Sequence, residues 1–323
     1  MTILDRGAAA LLIGLWAPAA VAATLEVGEG KAFATIQAAA NAANPGDTID
    51  IFPGTYTSGA TFTDGNLLIR IAPGEKRWSA KIKGPVSGKA IFVIKGRNVT
   101  VDGLRFDSAI VPDGNGAGIR QEGANLTVRN CYFYANEMGI LATPVAGSEG
   151  PLTVTGSTFT YTRSRKAGSL GHGLYAVGGV TRLTVSRSTF NRGTAGHYIK
   201  SRAAENIITK NTINDSRGQA SYLIDLSEGG SATITDNIMT KGAEAQNCCV
   251  AIAYGAEMYK GPSYQNPPGP VLIQNNRFTN QRASTVYFVN NTSSPANPVT
   301  LRGNVFIAEA GTIVPLKGPG TVE

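Results

Sequence analysis

The chain is short of cysteine, histidine and charge, and each shortage narrows what it can be. Its three cysteines, Cys131, Cys248 and Cys249, are odd in number and lack C-x-x-C spacing, so neither a disulfide framework nor a zinc fold is expected. The adjacent Cys248 and Cys249 read as small buried residues rather than as a redox pair. Only two histidines occur, His172 and His197. Charged residues make up 16% of the chain and are scattered. No helix-turn-helix, OB or RRM signature accompanies them, so nucleic acid is not an expected partner. No composition break or charged linker divides the sequence, and past residue 23 no apolar run reaches the roughly 20 residues that cross a bilayer.

The first 23 residues have the form of an export signal. Arg6 precedes an apolar run through Leu11, Leu12, Ile13, Leu15 and Trp16, and small residues follow to Ala22 and Ala23. Residues 24–323 are then expected to form one elongated, secreted or periplasmic domain, read as a monomer. Loss of the signal removes one acid (Asp5) and one base (Arg6), so the net charge stays at +7 and favours an anionic partner.

One unit recurs: a β-branched strand, one or two polar residues, a small or amide residue, then an aromatic or aliphatic one. It begins at Val101, Val128, Val154, Val185, Ile208, Ile234, Ile273 and Leu301, at intervals of 27, 26, 31, 23, 26, 39 and 28 residues. The spacing fits one coil of a parallel β-helix per copy, with two loop insertions. Phe106, Phe133, Phe159, Phe190, Ile213, Met239, Phe278 and Phe306 would form one interior ladder. Leu104, Cys131, Ser157, Ser188, Asn211, Asn237, Asn276 and Asn304 fall at the bend, where stacked amides can bond to one another and Asn tolerates the left-handed backbone. The expected class is all-β, a right-handed parallel β-helix with a short N-terminal capping helix over Ile36 to Ala43.

The stretch from Phe33 through Tyr56, FATIQAAANAANPGDTIDIFPGTY, resembles the N-terminal cap of the pectin lyase-like superfamily of right-handed parallel β-helices. The resemblance extends over residues from about 24 to 310 and implies the fold more firmly than an activity.

Three coils share a 25-residue register, which makes equivalents of His172, His197 and Tyr222, of Tyr175, Lys200 and Asp225, and of Val177, Arg202 and Ser227. With Leu174, Ile199 and Ile224 inward, alternation sends Tyr175, Tyr198, Lys200, Arg202 and Asp225 outward and gives the histidines inward parity beside a bend. The histidines are thus either a stacked structural pair or part of a site. The insertions, with Arg163, Arg165 and Lys166 in one and Tyr259, Lys260 and Tyr264 in the other, would wall a groove over this patch; Tyr254 and Glu228 stand beside it.

Elimination on a uronic-acid polymer needs a cation for the carboxylate, a base and an acid. Arg202 suits the first role, Lys200 or His197 the second, and Tyr175 or Tyr198 the third, with His172 alongside. An acidic polysaccharide is the expected partner, with no required cofactor, since Asp225 and Glu228 alone make a poor calcium site. Part of the patch is similar to polygalacturonase-like hydrolases, which carry G-H-G and, about a coil later, R-I-K. Here Gly171-His172-Gly173 is followed by Tyr198-Ile199-Lys200, and no aspartate-rich motif precedes His172. That departure puts hydrolysis second. C5-epimerisation, with the same acid and base, and plain glycan binding by a surface β-helix stay open.

Overall fold

The computed structural model describes residues 22–293 and 297–323. The export-signal reading lies, but for Ala22 and Ala23, outside the described residues. Among the described residues no helix is long and apolar enough to cross a membrane.

Every repeat unit becomes a coil of three short strands, as in Leu126–Arg129, Tyr132–Tyr134 and Met138–Ala142. Like strands of successive coils pair in parallel, giving first, second and third sheets of twelve, ten and ten strands. The register is the one that the spacing implies. Val101, Val128, Val154, Val185, Ile208, Ile234, Ile273 and Leu301 are successive partners in the first sheet. The aromatic and aliphatic ladder from Phe106 to Phe306 is likewise continuous in the second. Within it Phe133 stacks on Phe159 at 4.5 Å and Phe159 on Phe190 at 4.6 Å between ring centroids.

Between the first and second sheets the amides form a ladder. Asn211 Nδ2 donates to Asn237 Oδ1 at 3.0 Å, Asn237 to Asn276 at 2.9 Å, and Asn276 to Asn304 at 2.9 Å. Each receiving oxygen also accepts the backbone N–H of the donor residue, so the turn's polar groups are satisfied inside the stack. One expectation is corrected here: the left-handed backbone falls on the preceding residue, as at Lys210, Asp236 and Asn275, with φ of 57°, 57° and 55°. The ladder amides are thereby freed to point inward.

The open N-terminal edge of the third sheet is covered by the helix Ile36–Ala42, capped by Thr35. Ile36, Ala39 and Ala40 enter the core. Gln37 pairs with the edge strand Ala60–Phe62 as another strand would, accepting from Thr61 N at 2.8 Å and donating to Thr61 O at 3.2 Å.

In the third sheet strict alternation fails, and this positions the site. Tyr198 and Leu223 are core residues, and so are their successors Ile199 and Ile224. Two consecutive positions therefore face inward. The histidine column is displaced to the outer face, where its upstream members Ala90, Ala117 and Met138 join a small external cluster with Val93 and Leu141. The inward parity expected for His172 and His197 is overturned.

Tyr198 is overturned in the opposite sense, being 1% exposed. The reason is volume. Gly118, Gly139 and Gly173 precede it in its column, and a Cβ on them would stand 2.6, 2.5 and 3.0 Å from Phe133, Phe159 and Phe190. In the next coil the ladder residue is the smaller Ile213, and Tyr198 fills the space. Its hydroxyl donates to buried Asp215 Oδ1 at 2.7 Å and accepts from Gly193 N at 3.2 Å.

Candidate functional site

The outer face of the third sheet presents two columns in the expected register. Tyr175 pairs with Lys200 and Lys200 with Asp225, from the strands Leu174–Ala176, Ile199–Ser201 and Ile224–Leu226. Beside them His172 stacks on His197 at 4.9 Å, and His197 on Tyr222 at 4.8 Å. These distances are the rise of one coil, about 4.8 Å.

Hydrogen bonds along the stack fix the imidazoles. His172 Nδ1 accepts from His197 N at 3.0 Å, and His197 Nδ1 accepts from Tyr222 N at 3.1 Å. Each neutral ring therefore carries its proton on Nε2. His197 Nε2 lies 3.5 Å from Asp225 Oδ2. Burial, then the neighbouring Lys200, lowers the His197 pKa to about 3. Burial, then His197 and Lys200, holds His172 well below its ordinary value. With Nδ1 occupied and Nε2 protonated, neither ring is placed as a base.

The cations are held by carboxylates. Lys200 Nζ donates to Asp225 Oδ2 at 2.9 Å and to Glu257 Oε1 at 2.7 Å. Burial pulls its pKa down, but Asp225 and Glu257 outweigh burial and leave it raised, so it is an ammonium rather than a free amine. Arg202 Nη2 donates to Glu257 Oε2 at 2.6 Å, Nη1 to Glu228, and Nε to Tyr175 Oη at 2.8 Å. Lys260 Nζ also reaches Glu257 Oε2, at 2.8 Å. Burial alone would raise the Glu257 pKa; the bonds from Lys200 and Lys260 overcome it and bring the value to about 2. Because Tyr175 Oη accepts from Arg202, its own O–H is left to donate and meets no acceptor among the described residues.

Glu257 joins Lys200 and Arg202 through a single carboxylate, yet the sequence reading passed over it. It lies in the insertion after the strand Val250–Tyr254, where no repeat sets a register, and its backbone is tied down by Glu257 N donating to Ser227 O at 2.8 Å. The same insertion places Tyr264 5.6 Å from the Arg202 guanidinium.

The other expected site residues separate. Glu228 and Lys260 join the cluster. Tyr259 is 83% exposed on the turn Met258–Lys260. Tyr254 is a correction: it is buried, donates to Gly230 O at 2.6 Å, and has its pKa raised to about 12 by burial, so it presents nothing to a ligand. Arg163 and Arg165 line a different groove with Tyr134, Tyr161 and Arg192, at the corner between the second and third sheets. Lys166 is exposed on that loop and lies against Gly114. These three do not wall the Lys200 face, because Ser164 Oγ donating to Gly114 O holds their loop against the preceding coils.

The cysteines require a correction as well. Cys248 and Cys249 form a disulfide on the turn leading into Val250–Tyr254, Cys248 exposed and Cys249 half-buried. Cys131 is free and buried, its thiol pushed up to about 12 by burial.

Chemically, the arrangement offers carboxylate-binding cations and a phenol with a proton to give. It does not suit calcium: Asp225, Glu228 and Glu257 are already engaged by Lys200 or Arg202, whose charges would oppose a divalent ion. Nor does the Asp225–Glu257 pair suit inverting hydrolysis. Asp225 and Glu257 share one ammonium, at 2.9 and 2.7 Å, and so lie closer than the roughly 6.5–9.5 Å that leaves room for a water.

The family described as "Right handed beta helix region" matches residues 145–318, more than half of the chain. The chain belongs to this right-handed β-helix family. An alginate lyase from Paenibacillus sp. str. FPU-7 superposes on the β-helix with a TM-score of 0.55 and 17% identity, covering 93% of this chain and 99% of that one. Pectate lyase Pel9A gives the same TM-score and identity, covering 93% and 79%. At this identity the likeness is one of fold. No curated protein matches the β-helix by sequence.

Proposed function

We propose that the β-helix is an exported enzyme that cleaves an acidic, uronate-containing polysaccharide by β-elimination on the outer face of its third sheet. The observation that carries this reading is Glu257, whose two carboxylate oxygens are divided between Lys200 and Arg202. That is the geometry in which a substrate carboxylate would be received. The matching folds of an alginate lyase and a pectate lyase support the same substrate class.

In this reading a uronate carboxylate displaces Glu257 and is neutralised by Lys200 and Arg202, which acidifies the adjacent C5–H. Glu257, parted from Lys200 and Arg202 while Lys260 stays beside it, becomes a stronger base next to that proton and takes it. The C4–O bond breaks as the C4=C5 double bond forms, and Tyr175 donates its O–H proton to the departing oxygen. Lys200 and His197 do not act as base here, and buried Tyr198 has no part.

The test is incubation with alginate, polygalacturonate and acidic bacterial exopolysaccharides. Elimination gives the ultraviolet absorbance of an unsaturated uronate, and Tyr175→Phe should lower its rate by about 10²–10⁴-fold. New reducing ends without that absorbance would mean hydrolysis, and altered sugar stereochemistry without cleavage would mean epimerisation. Retention on the polymer with none of these would reduce the face to a binding surface.

A further inference from the structure

We propose a second, non-catalytic site at the corner between the second and third sheets, where a polyanionic glycan lies along the helix axis. Two adjoining grooves of about 340 and 330 Å³ share Arg192. Arg163 and Arg165 line one, and Arg217 the other. No carboxylate lines either groove, and none of these four arginines has a carboxylate partner among the described residues. Arg192 Nη1 donates to Tyr161 Oη, and a guanidinium with no carboxylate partner keeps further donors for bidentate capture of a carboxylate or sulfate.

Aromatic rings continue the surface. Trp78 lies 5.1 Å from Tyr132, Tyr132 is 6.4 Å from Tyr134, and Tyr134 is 5.5 Å from Tyr161. Trp78 and Tyr161 are each 40% exposed, and the Arg192 guanidinium sits 5.0 Å from the Tyr161 ring. Apolar ring faces beside cations suit the C–H faces and charged groups of an acidic sugar. Asn191 and Asn214 add amides for hydroxyls.

The backbone is committed to this display. Tyr161 and Arg192 occupy equivalent places just after paired strand residues and have positive φ, 57° and 54°, a conformation unfavourable for such side chains. Arg165, Arg192 and Arg217 belong to successive coils. Coils rise about 4.8 Å, close to the length of one sugar ring in an extended chain. That rise suits a glycan with one acid group per sugar. The choice of glycan rests on the proposed function; the surface of tyrosines and of arginines without carboxylate partners does not.

The test is affinity electrophoresis and salt-dependent equilibrium binding of the full chain to alginate and polygalacturonate, with single-stranded oligodeoxythymidylate as the competing class. The double variant Arg192→Gln with Arg217→Gln should weaken glycan binding about tenfold or more and flatten its salt dependence. Tyr161→Ala should weaken it with the charge intact. Arg182→Gln, removing an arginine paired with Glu205 on the first sheet, should leave binding unchanged and so controls for the loss of a surface arginine elsewhere. Turnover of short oligosaccharides should be the same in all three. Undiminished binding by the double variant, equal loss in Arg182→Gln, or tighter binding of the oligonucleotide would overturn the corner site. If no substrate is eliminated but the double variant still loses retention, the catalytic reading fails and the corner stands; elimination with unchanged retention has the opposite meaning.

Discussion

Two groups of basic side chains lie within a few coils of each other and are built in opposite ways. Lys200 and Arg202 stand on strand-derived positions, mostly buried, with Asp225, Glu228 and Glu257 bonded to them. Arg163, Arg165, Arg192 and Arg217 line two grooves at a corner, and no carboxylate lines either groove. A buried cation must be paired to be tolerated, whereas an exposed one is satisfied by water. The first group is therefore fixed in place and suited to chemistry, and the second is adaptable and suited to holding.

Breaking the first group should have the largest effect. Lys200→Ala leaves Asp225, 2% exposed, without its ammonium, and should cost about 3–5 kcal/mol in denaturant unfolding. Arg192→Ala should stay within about 0.5 kcal/mol by the same measurement. Equal losses would erase the distinction between the groups.

Acidification should act next, and on the buried side only. Both histidines have folded pKa values below 6.5, so the unfolded chain binds more protons under that pH and stability falls as pH drops, for His197 down to about 3. By pH 5 the loss from His197 should be about 1–2 kcal/mol, read from unfolding curves, and His172 should add to it in the same direction. The depressed Glu257 pKa adds to it in the same direction: its contribution is full above 4.5 and is lost as pH falls towards about 2. His197→Gln should shallow the profile, while Arg217→Gln should leave it unchanged.

A third comparison separates occupancy from catalysis. Glu257→Gln removes the charge that fills the carboxylate seat and also removes the proposed base. KM for an acidic oligosaccharide should fall about three- to tenfold while kcat falls by more than tenfold. A rise in KM would mean that Glu257 shapes the seat rather than blocking it.

The smallest effect is expected at the disulfide. A bridge between neighbours closes almost no chain, so it removes little freedom from the unfolded state, and replacing Cys248 and Cys249 by serine should shift Tm by only about 1–2 °C.

How much of this was legible depended on what fixes each residue. The coil register could be read because β-branched and aromatic residues must recur at one place per turn, and the Val101 and Phe106 columns recur without a slip. The Tyr175–Lys200–Asp225 row followed from that register. Alternation misplaced Tyr198 and the histidines because two consecutive positions face inward, a local bend that residue type alone does not announce. Glu257 and the corner arginines lie in turns and insertions, whose course is set by single hydrogen bonds such as Ser164 to Gly114 rather than by periodicity. The adjacent cysteines were misread because burial habit says nothing of two thiols on an exposed turn.

The positive φ at Tyr161 and Arg192 has a consequence for anyone improving this protein. Glycine adopts that backbone freely, so a screen scored on heat resistance alone would be expected to reward glycine at either position. Such variants would outlast the parent while having lost part of the surface on which a polymer could rest. Durability and grip are opposed at this corner, and a selection that measures one will spend the other.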